Sequence, residues 1–223
     1  MTNRYYPVNL DIRDRSCLVV GGGGVGTRKV QGLLDCSARV TLISPEATET
    51  LKTIAADGRI IWHRRRFAPG DVTGHFLVIG ATNDEPLNRQ VHADANAHGL
   101  LCNIADRPEI CNFILPAVIR RGDLSLAIST AGRSPAFAKH LRKTLAVQFG
   151  PEYETFLDLM GAVRKRLLAE DHAPEAHKPL FEALISSGLL DMIRDGDTTG
   201  VDALLLDILG DGYNYRSLMN SDG

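Results

Sequence analysis

The stretch Cys17-Leu18-Val19-Val20-Gly21-Gly22-Gly23-Gly24-Val25-Gly26 decides the fold. An apolar strand runs into Gly21, and Gly21, Gly23 and Gly26 fill the glycine positions of a G-x-G-x-x-G pattern. Without a Cβ, Gly21 permits a tight turn out of the strand, Gly23 lets backbone come close to a diphosphate, and Gly26 lets the next helix pack on the sheet. From Thr27 to Leu34, apolar Val30, Leu33 and Leu34 recur at helical spacing, so the amide end and dipole of that helix would face the phosphates. A strand before the glycines and a helix after them set this apart from a merely glycine-rich loop.

Downstream, strand and helix patterns alternate, as a parallel sheet covered by helices requires. Strands are expected at Ser16–Val20, Arg39–Ile43, Arg59–His63, Phe76–Gly80 and Leu101–Ile104, with helices beginning near Val25, Ala47 and Glu85. Continuous apolar runs such as Phe76-Leu77-Val78-Ile79 fit strands buried on both faces. Ligand crevices in such sheets lie beyond the carboxyl ends of the strands, which brings Gly21–Gly26, Ser44-Pro45-Glu46, Ala81-Thr82-Asn83 and Ala105-Asp106-Arg107 to one cleft. After Asp106 the pattern changes. Phe113–Pro116 and Leu124–Ser129 read as short strands joined by a turn at Arg121-Gly122-Asp123, and Ser134-Pro135 opens a helix running towards Gly150. Beyond Pro151 apolar residues recur at helical spacing through Phe156–Leu168, Leu180–Leu190 and Val201–Leu209, and the tail Asn214–Gly223 is expected to fray. The fold class is therefore α/β: a Rossmann-type parallel sheet over residues 1–112, a small α+β segment over 113–150 of a kind that often pairs subunits, and a helical domain over 151–223.

Composition narrows the function. With 25 Lys and Arg against 27 Asp and Glu, a formal charge of −2 argues against bulk binding to nucleic acid or to an anionic membrane, while leaving room for a local basic site. The first residues, Met1 to Pro7, carry no apolar signal core and no run is long enough to span a bilayer, which predicts a cytoplasmic protein. Four cysteines are too few for a disulfide scaffold in 223 residues, Cys102 and Cys111 are far apart for a zinc pair, and His172 and His177 are five apart; no resident metal is expected. Arg64-Arg65-Arg66 follows a strand and reads as a solvated or partner-facing loop.

The glycine turn followed by Arg28-Lys29 stands with three further blocks: Ala81-Thr82-Asn83-Asp84 with Asn88, then Cys102-Asn103-Ile104-Ala105-Asp106-Arg107-Pro108, then Ile128-Ser129-Thr130-Ala131-Gly132-Arg133-Ser134-Pro135. In order and spacing over about residues 4–150 these resemble the siroheme synthase N-terminal-type family of precorrin-2 dehydrogenases. The resemblance implies a homodimer, NAD as cofactor, and oxidation of the tetrapyrrole precorrin-2 to sirohydrochlorin; in some relatives ferrous iron is a further substrate, inserted into the product. The other reading of the glycine turn alone is an NAD-sensing regulatory module without catalysis, which needs no proton acceptor beside a nicotinamide.

By this resemblance Asp106 is the catalytic carboxylate, suited to accept the proton that leaves with the hydride; by position alone it is equally a turn residue bonded to nearby amides. Gly24 and Val25 match the diphosphate turn, joining Gly21, Gly23 and Gly26 as cofactor contacts. Pro45 and Glu46 follow the second strand, where the adenosine ribose would lie. The usual acid at that strand's end is missing, since Ser44-Pro45 stands there, and no arginine follows closely, so nothing in the sequence points to NADP. Glu46 reads either as a ribose contact or as a first-turn glutamate favoured by the helix dipole. Thr82 reads either as a nicotinamide-ribose contact or as a helix cap. For a substrate rich in carboxylates, the candidate contacts are Thr130, Arg133 and Ser134, followed by Lys139 and Arg142, with Ser134 also placed to cap its helix.

Overall fold

A computed structural model describes residues 5–169 and 174–220. The backbone divides between Leu115 and Pro116 into two compact units. In the first, β1 (Ser16–Gly22), β2 (Arg39–Ala47), β3 (Ile60–His63), β4 (Leu77–Gly80) and β5 (Leu101–Ile104) form one sheet in the order β3-β2-β1-β4-β5, with every neighbouring pair parallel. Helices α1 (Gly24–Leu34), α2 (Glu49–Ala56) and α3 (Glu85–Ala97) make the crossovers, and the link from β3 to β4 has no helix, only turns.

Alternation along the strands splits the core in two. Cys17 and Val19 of β1 pack with Val30 and Leu33 of α1 on one face, while Leu18 and Val20 pack with Val91 and Ala95 of α3 on the other. All four strand residues are at most 1% exposed, as expected of a central strand covered on both sides. The order reverses at β1, so the crevice opens between the carboxyl ends of β1 and β4.

The second unit begins with the antiparallel hairpin β6 (Ala117–Arg121) and β7 (Leu124–Ile128). Helix α4 (Pro135–Gln148) follows, with the Ser134 hydroxyl accepting the Phe137 amide at 3.2 Å as its cap. Then come α5 (Glu152–Ala169), α6 (Pro174–Ser186), α7 (Leu189–Asp195), α8 (Thr198–Leu209) and α9 (Tyr215–Met219). Leu159, Val163 and Leu167 of α5 centre a core with Leu184, Leu189, Val201 and Leu205.

Three expectations are corrected. The strand expected at Phe113–Pro116 lies instead at Ala117–Arg121. Pro116 has no amide to give a ladder, and the Phe113 carbonyl is taken by the Asn103 side chain at 3.1 Å. The helical run Leu180–Leu190 breaks at Gly188, whose φ of +82° starts α7 afresh. The tail expected to fray carries α9, because Asn214 caps it by accepting the Ser217 amide at 2.8 Å and Tyr213 and Leu218 are buried in the helical core. Part of that tail, residues 221–223, and His172 lie outside the described residues.

The glycines of the first turn differ in what surrounds them. A Cβ on Gly22 would run into the Glu46 carbonyl oxygen, whereas a Cβ on Gly32 in α1 would meet nothing within 4 Å. Gly22→Ala should therefore lose roughly 1–3 kcal/mol of stability through overpacking. Gly32→Ala should gain about 1 kcal/mol from helix propensity. Urea unfolding of the two variants beside wild type checks this, and equal midpoints for both would contradict it.

Candidate functional site: a dinucleotide cavity and the Asp106 turn

The cavity at the carboxyl ends of β1, β2 and β4 has a volume of about 820 Å³ and is lined by Val20–Val25, Arg28, Ile43–Thr48, Arg66, Phe67, Ala81–Asp84 and Leu87. Its floor is the β1–α1 turn. Gly21 has φ +112°, outside the range an L side chain adopts readily, and a Cβ there would collide with Ala81 backbone. A Cβ on Gly26 would run into the Gly21 carbonyl, so α1 sits against the strand end at a distance only glycine permits. Gly23 and Gly24 have open space where a Cβ would stand. Gly23 begins the helix with no side-chain cap, and no acidic residue occupies the first turn. Among the described residues no side chain caps this helix end, so the Gly24 and Val25 amides open the helix beside the cavity in a way that suits a diphosphate.

The second wall explains the missing acid. Ser44 is buried, its hydroxyl accepts the Gly22 amide at 3.0 Å, and its carbonyl accepts the Trp62 indole N–H at 3.0 Å. The position is spent on holding the glycine turn, and Pro45 and Glu46 are left to face the cavity. Glu46 belongs to the extended end of β2, not to the first turn of α2, which Glu49 occupies behind a Thr48 cap; the first-turn reading of Glu46 is thereby removed. Thr82 also faces the cavity, with its hydroxyl committed to Asn88 Oδ1 at 2.9 Å and the Asp84 carbonyl at 3.1 Å. Asp84 is the cap of α3, accepting the Leu87 amide at 3.0 Å, so capping is not the task of Thr82.

Asp106 does not line this cavity; it sits at the exit of β5, next to the strand whose end does. It is exposed and has φ +60°, a left-handed conformation that costs an L residue roughly 1–2 kcal/mol and is best tolerated by Asp and Asn. Among the described residues no hydrogen bond reaches its carboxylate, so the Asx-turn reading finds no support. The turn is held from behind. Cys111 Sγ accepts the Ile104 amide at 3.1 Å and donates to the Arg107 carbonyl at 3.1 Å. Arg107 pairs with Glu85 at 2.9 Å, and Asn112 bonds both the Cys102 amide and the Leu100 carbonyl. Lys29, half-buried on the face of α1 that carries Gly26, Val30 and Leu33, is held below the ordinary ammonium value by burial and by Arg28, with Asp106 and Cys111 acting in the opposite sense. Strained backbone beside an exposed carboxylate and a half-buried ammonium makes this turn a candidate site.

Burial pushes the Cys17 thiol up to about 11 and the Cys102 thiol up to about 12, leaving both protonated. No cluster of three or more His, Cys, Asp or Glu side chains able to hold a metal occurs among the described residues. No helix of the described residues is long and apolar enough to cross a membrane.

In the second unit Thr130, Arg133 and Ser134 fall in the loop before α4. The Thr130 hydroxyl accepts the Ser134 amide at 3.1 Å, its carbonyl accepts the Arg133 amide at 3.0 Å, and Ala131 and Gly132 both have positive φ. Ser134 is committed as a cap, while the Arg133 side chain is exposed. The structure thus gathers Gly21, Gly23, Gly24, Val25, Pro45, Glu46 and Thr82 on one cavity, puts Gly26 beneath it, and gathers the three substrate candidates in one loop. Gly22 and Ser44, which the sequence brings to this cleft without assigning them a contact, line it together with Phe67, and Arg66, read from the sequence as part of a solvated or partner-facing loop, lines it as well. The crowding at Gly22, second in the run of four glycines, has that run as its signal; nothing local places Arg66 near β2.

Comparison with known proteins fits this geometry. A family model described as "Putative NAD(P)-binding" matches residues 8–117 and one described as "Sirohaem biosynthesis protein central" matches 121–148. A siroheme synthase from Hydrogenovibrio crunogenus is 33% identical over 204 residues, covering 90% of this chain. The chain belongs to the siroheme synthase N-terminal-type family. Another member, the siroheme synthase of Methylobacillus flagellatus, is 43% identical over 136 residues, 61% of this chain and 29% of the relative. The chain spans less than half the length of these curated relatives, 43% in the first case. Among solved structures, SirC, a precorrin-2 dehydrogenase, superposes with a TM-score of 0.71 at 29% identity, covering 83% of this chain and 92% of that one. The first unit, with its sheet order, glycine turn and matched family, is an NAD(P)-binding Rossmann domain.

If Cys111 holds the Asp106 turn, Cys111→Ala leaves the buried Ile104 amide without its acceptor and should lower stability by roughly 1–3 kcal/mol. Cys111→Ser, which keeps a donor and an acceptor, should recover most of that loss. A Cys111→Ala protein with the wild-type urea midpoint would contradict the assignment.

Proposed function

We propose that this chain oxidises precorrin-2 to sirohydrochlorin with NAD as the hydride acceptor. The observation that carries the proposal is the pairing, on one sheet edge, of an uncapped helix end after β1 facing an 820 Å³ cavity with a carboxylate after β5, two strands along, that is held in a left-handed turn and takes no hydrogen bond among the described residues. Likeness to SirC supports the choice of substrate.

NAD, when bound, supplies an electrophilic carbon that takes a hydride. The chain's own residues do the rest. The Gly24 and Val25 amides and the α1 dipole hold the diphosphate, and Arg28 at the cavity wall adds charge of the right sign. Pro45 and Glu46 border the adenosine ribose, and Glu46 is the acceptor for its hydroxyls. Removing a hydride from the macrocycle leaves a cation that is neutralised when a carbon- or nitrogen-bound proton departs; Asp106 receives that proton and passes it to solvent, to which it is exposed. Thr130, Arg133 and Ser134 take substrate carboxylates through the exposed Arg133 guanidinium and the loop that the other two residues brace.

In this reading the protein works in the cytoplasm as a homodimer paired through the hairpin and α4. A two-stranded sheet is marginal by itself, and on α4 Phe137 and Val147 are 52% and 84% exposed, an apolar surface that suits a second copy.

Anaerobic incubation with precorrin-2 and NAD should yield NADH and sirohydrochlorin together. Asp106→Asn should lower turnover about 100-fold or more while NAD still binds. Full activity in that variant would reject the role of Asp106, and no NADH from wild type would reject the reaction. Ferrous iron insertion is assayed separately, with sirohydrochlorin, ferrous ion and a protein-free control.

A further inference from the structure

Three successive arginines follow β3, and the structure gives them three different fates. Arg64 lies over the Trp62 ring at 4.9 Å. Arg65 makes a two-pronged pair with Asp71, at 2.7 and 2.8 Å. Arg66 lines the dinucleotide cavity, and among the described residues no carboxylate pairs with it and no ring stacks on it. Arg66 is exposed between a neighbour committed to Asp71 and the buried Phe67, and an arginine that borders the cavity with no ion pair among the described residues can serve as an anion contact.

Its place says which anion. β3 is the parallel neighbour of β2, register-paired from Val40 with Ile60 to Ile43 with His63. The loop leaving β3 therefore runs beside the end of β2, where this fold receives the adenosine ribose. At that end the position of Ser44 carries no acid to repel a 2′-phosphate, its side chain being turned inward to the Gly22 amide. Glu46, two residues on and still within β2, is the acid that remains on this wall, and it is exposed. Arg28, across the same cavity, raises the positive potential further.

We infer that Arg66 admits a 2′-phosphorylated adenosine ribose, so that the cavity takes NADP as well as NAD. The inference rests on the dinucleotide reading of the cavity and adds to it a residue that sets coenzyme choice. Glu46 favours the free hydroxyls of NAD and Arg66 favours the phosphate; neither excludes the other coenzyme.

Calorimetric titration of the full chain with NAD and with NADP separates the two claims and needs no tetrapyrrole. Wild type should bind NADP within about tenfold of NAD, a difference of about 1.4 kcal/mol. Arg66→Ala should shift the NADP-to-NAD affinity ratio at least about tenfold towards NAD, and Arg66→Lys should recover part of it. Raising salt should weaken NADP more than NAD. Binding of NAD without measurable NADP, or an unchanged ratio in Arg66→Ala, would overturn the inference and leave the dinucleotide site standing. Failure of both coenzymes to bind wild type would overturn the dinucleotide reading itself.

Discussion

Everything at the site depends on how closely α1 approaches the end of β1. The Gly26 backbone rests where a side chain would strike the Gly21 carbonyl, and Gly21 in turn leaves no room for a Cβ beside Ala81. Gly22 is pressed against the far end of β2, and its amide is satisfied by Ser44. These contacts fix the helix with its amide end open to the cavity. The sheet supplies the rigidity: β1 is buried on both faces by two separate apolar clusters, so the turn is anchored to the least mobile part of the unit. A carbon added at any of the three crowded glycines would tilt the helix and misdirect its dipole.

Electrostatics then divides the labour. The open helix end and Arg28 face the coenzyme side. One strand end further on, Asp106 and the half-buried Lys29 form a second charged locus beyond the cavity wall. The Asp106 turn is strained and is held by Cys111, Asn112 and the Arg107–Glu85 pair, none of which lines the cavity. Such support from behind is what keeps a carboxylate available to a substrate without tying it up in hydrogen bonds of its own.

Much of this was legible in the sequence. The five strands of the first unit, the glycine turn, the caps at Ser134 and the crevice follow from periodicity and backbone chemistry, because propensity and burial agree there. The hairpin was misplaced by a few residues because Phe113-Ile114-Leu115 is apolar for reasons of packing and not of pairing: Phe113 packs against the sheet core while its carbonyl serves Asn103. The tail was misread because Tyr213 and Leu218 are anchors separated by polar residues, a pattern too sparse to declare a helix before the partner core is known. The tasks of Ser44 and Arg66 are hidden from the sequence for a common reason. Their roles depend on the parallel pairing of β1 with β2 and β2 with β3, contacts that join residues about twenty apart and leave no local trace.

The central claim is that the uncapped end of α1 is a coenzyme diphosphate site. A crystal structure of the protein with NAD tests it directly. The diphosphate oxygens should lie about 2.7–3.2 Å from the Gly24 and Val25 amides, with the adenosine ribose against Pro45 and Glu46. A diphosphate seated elsewhere, with those amides facing only solvent, would contradict the account.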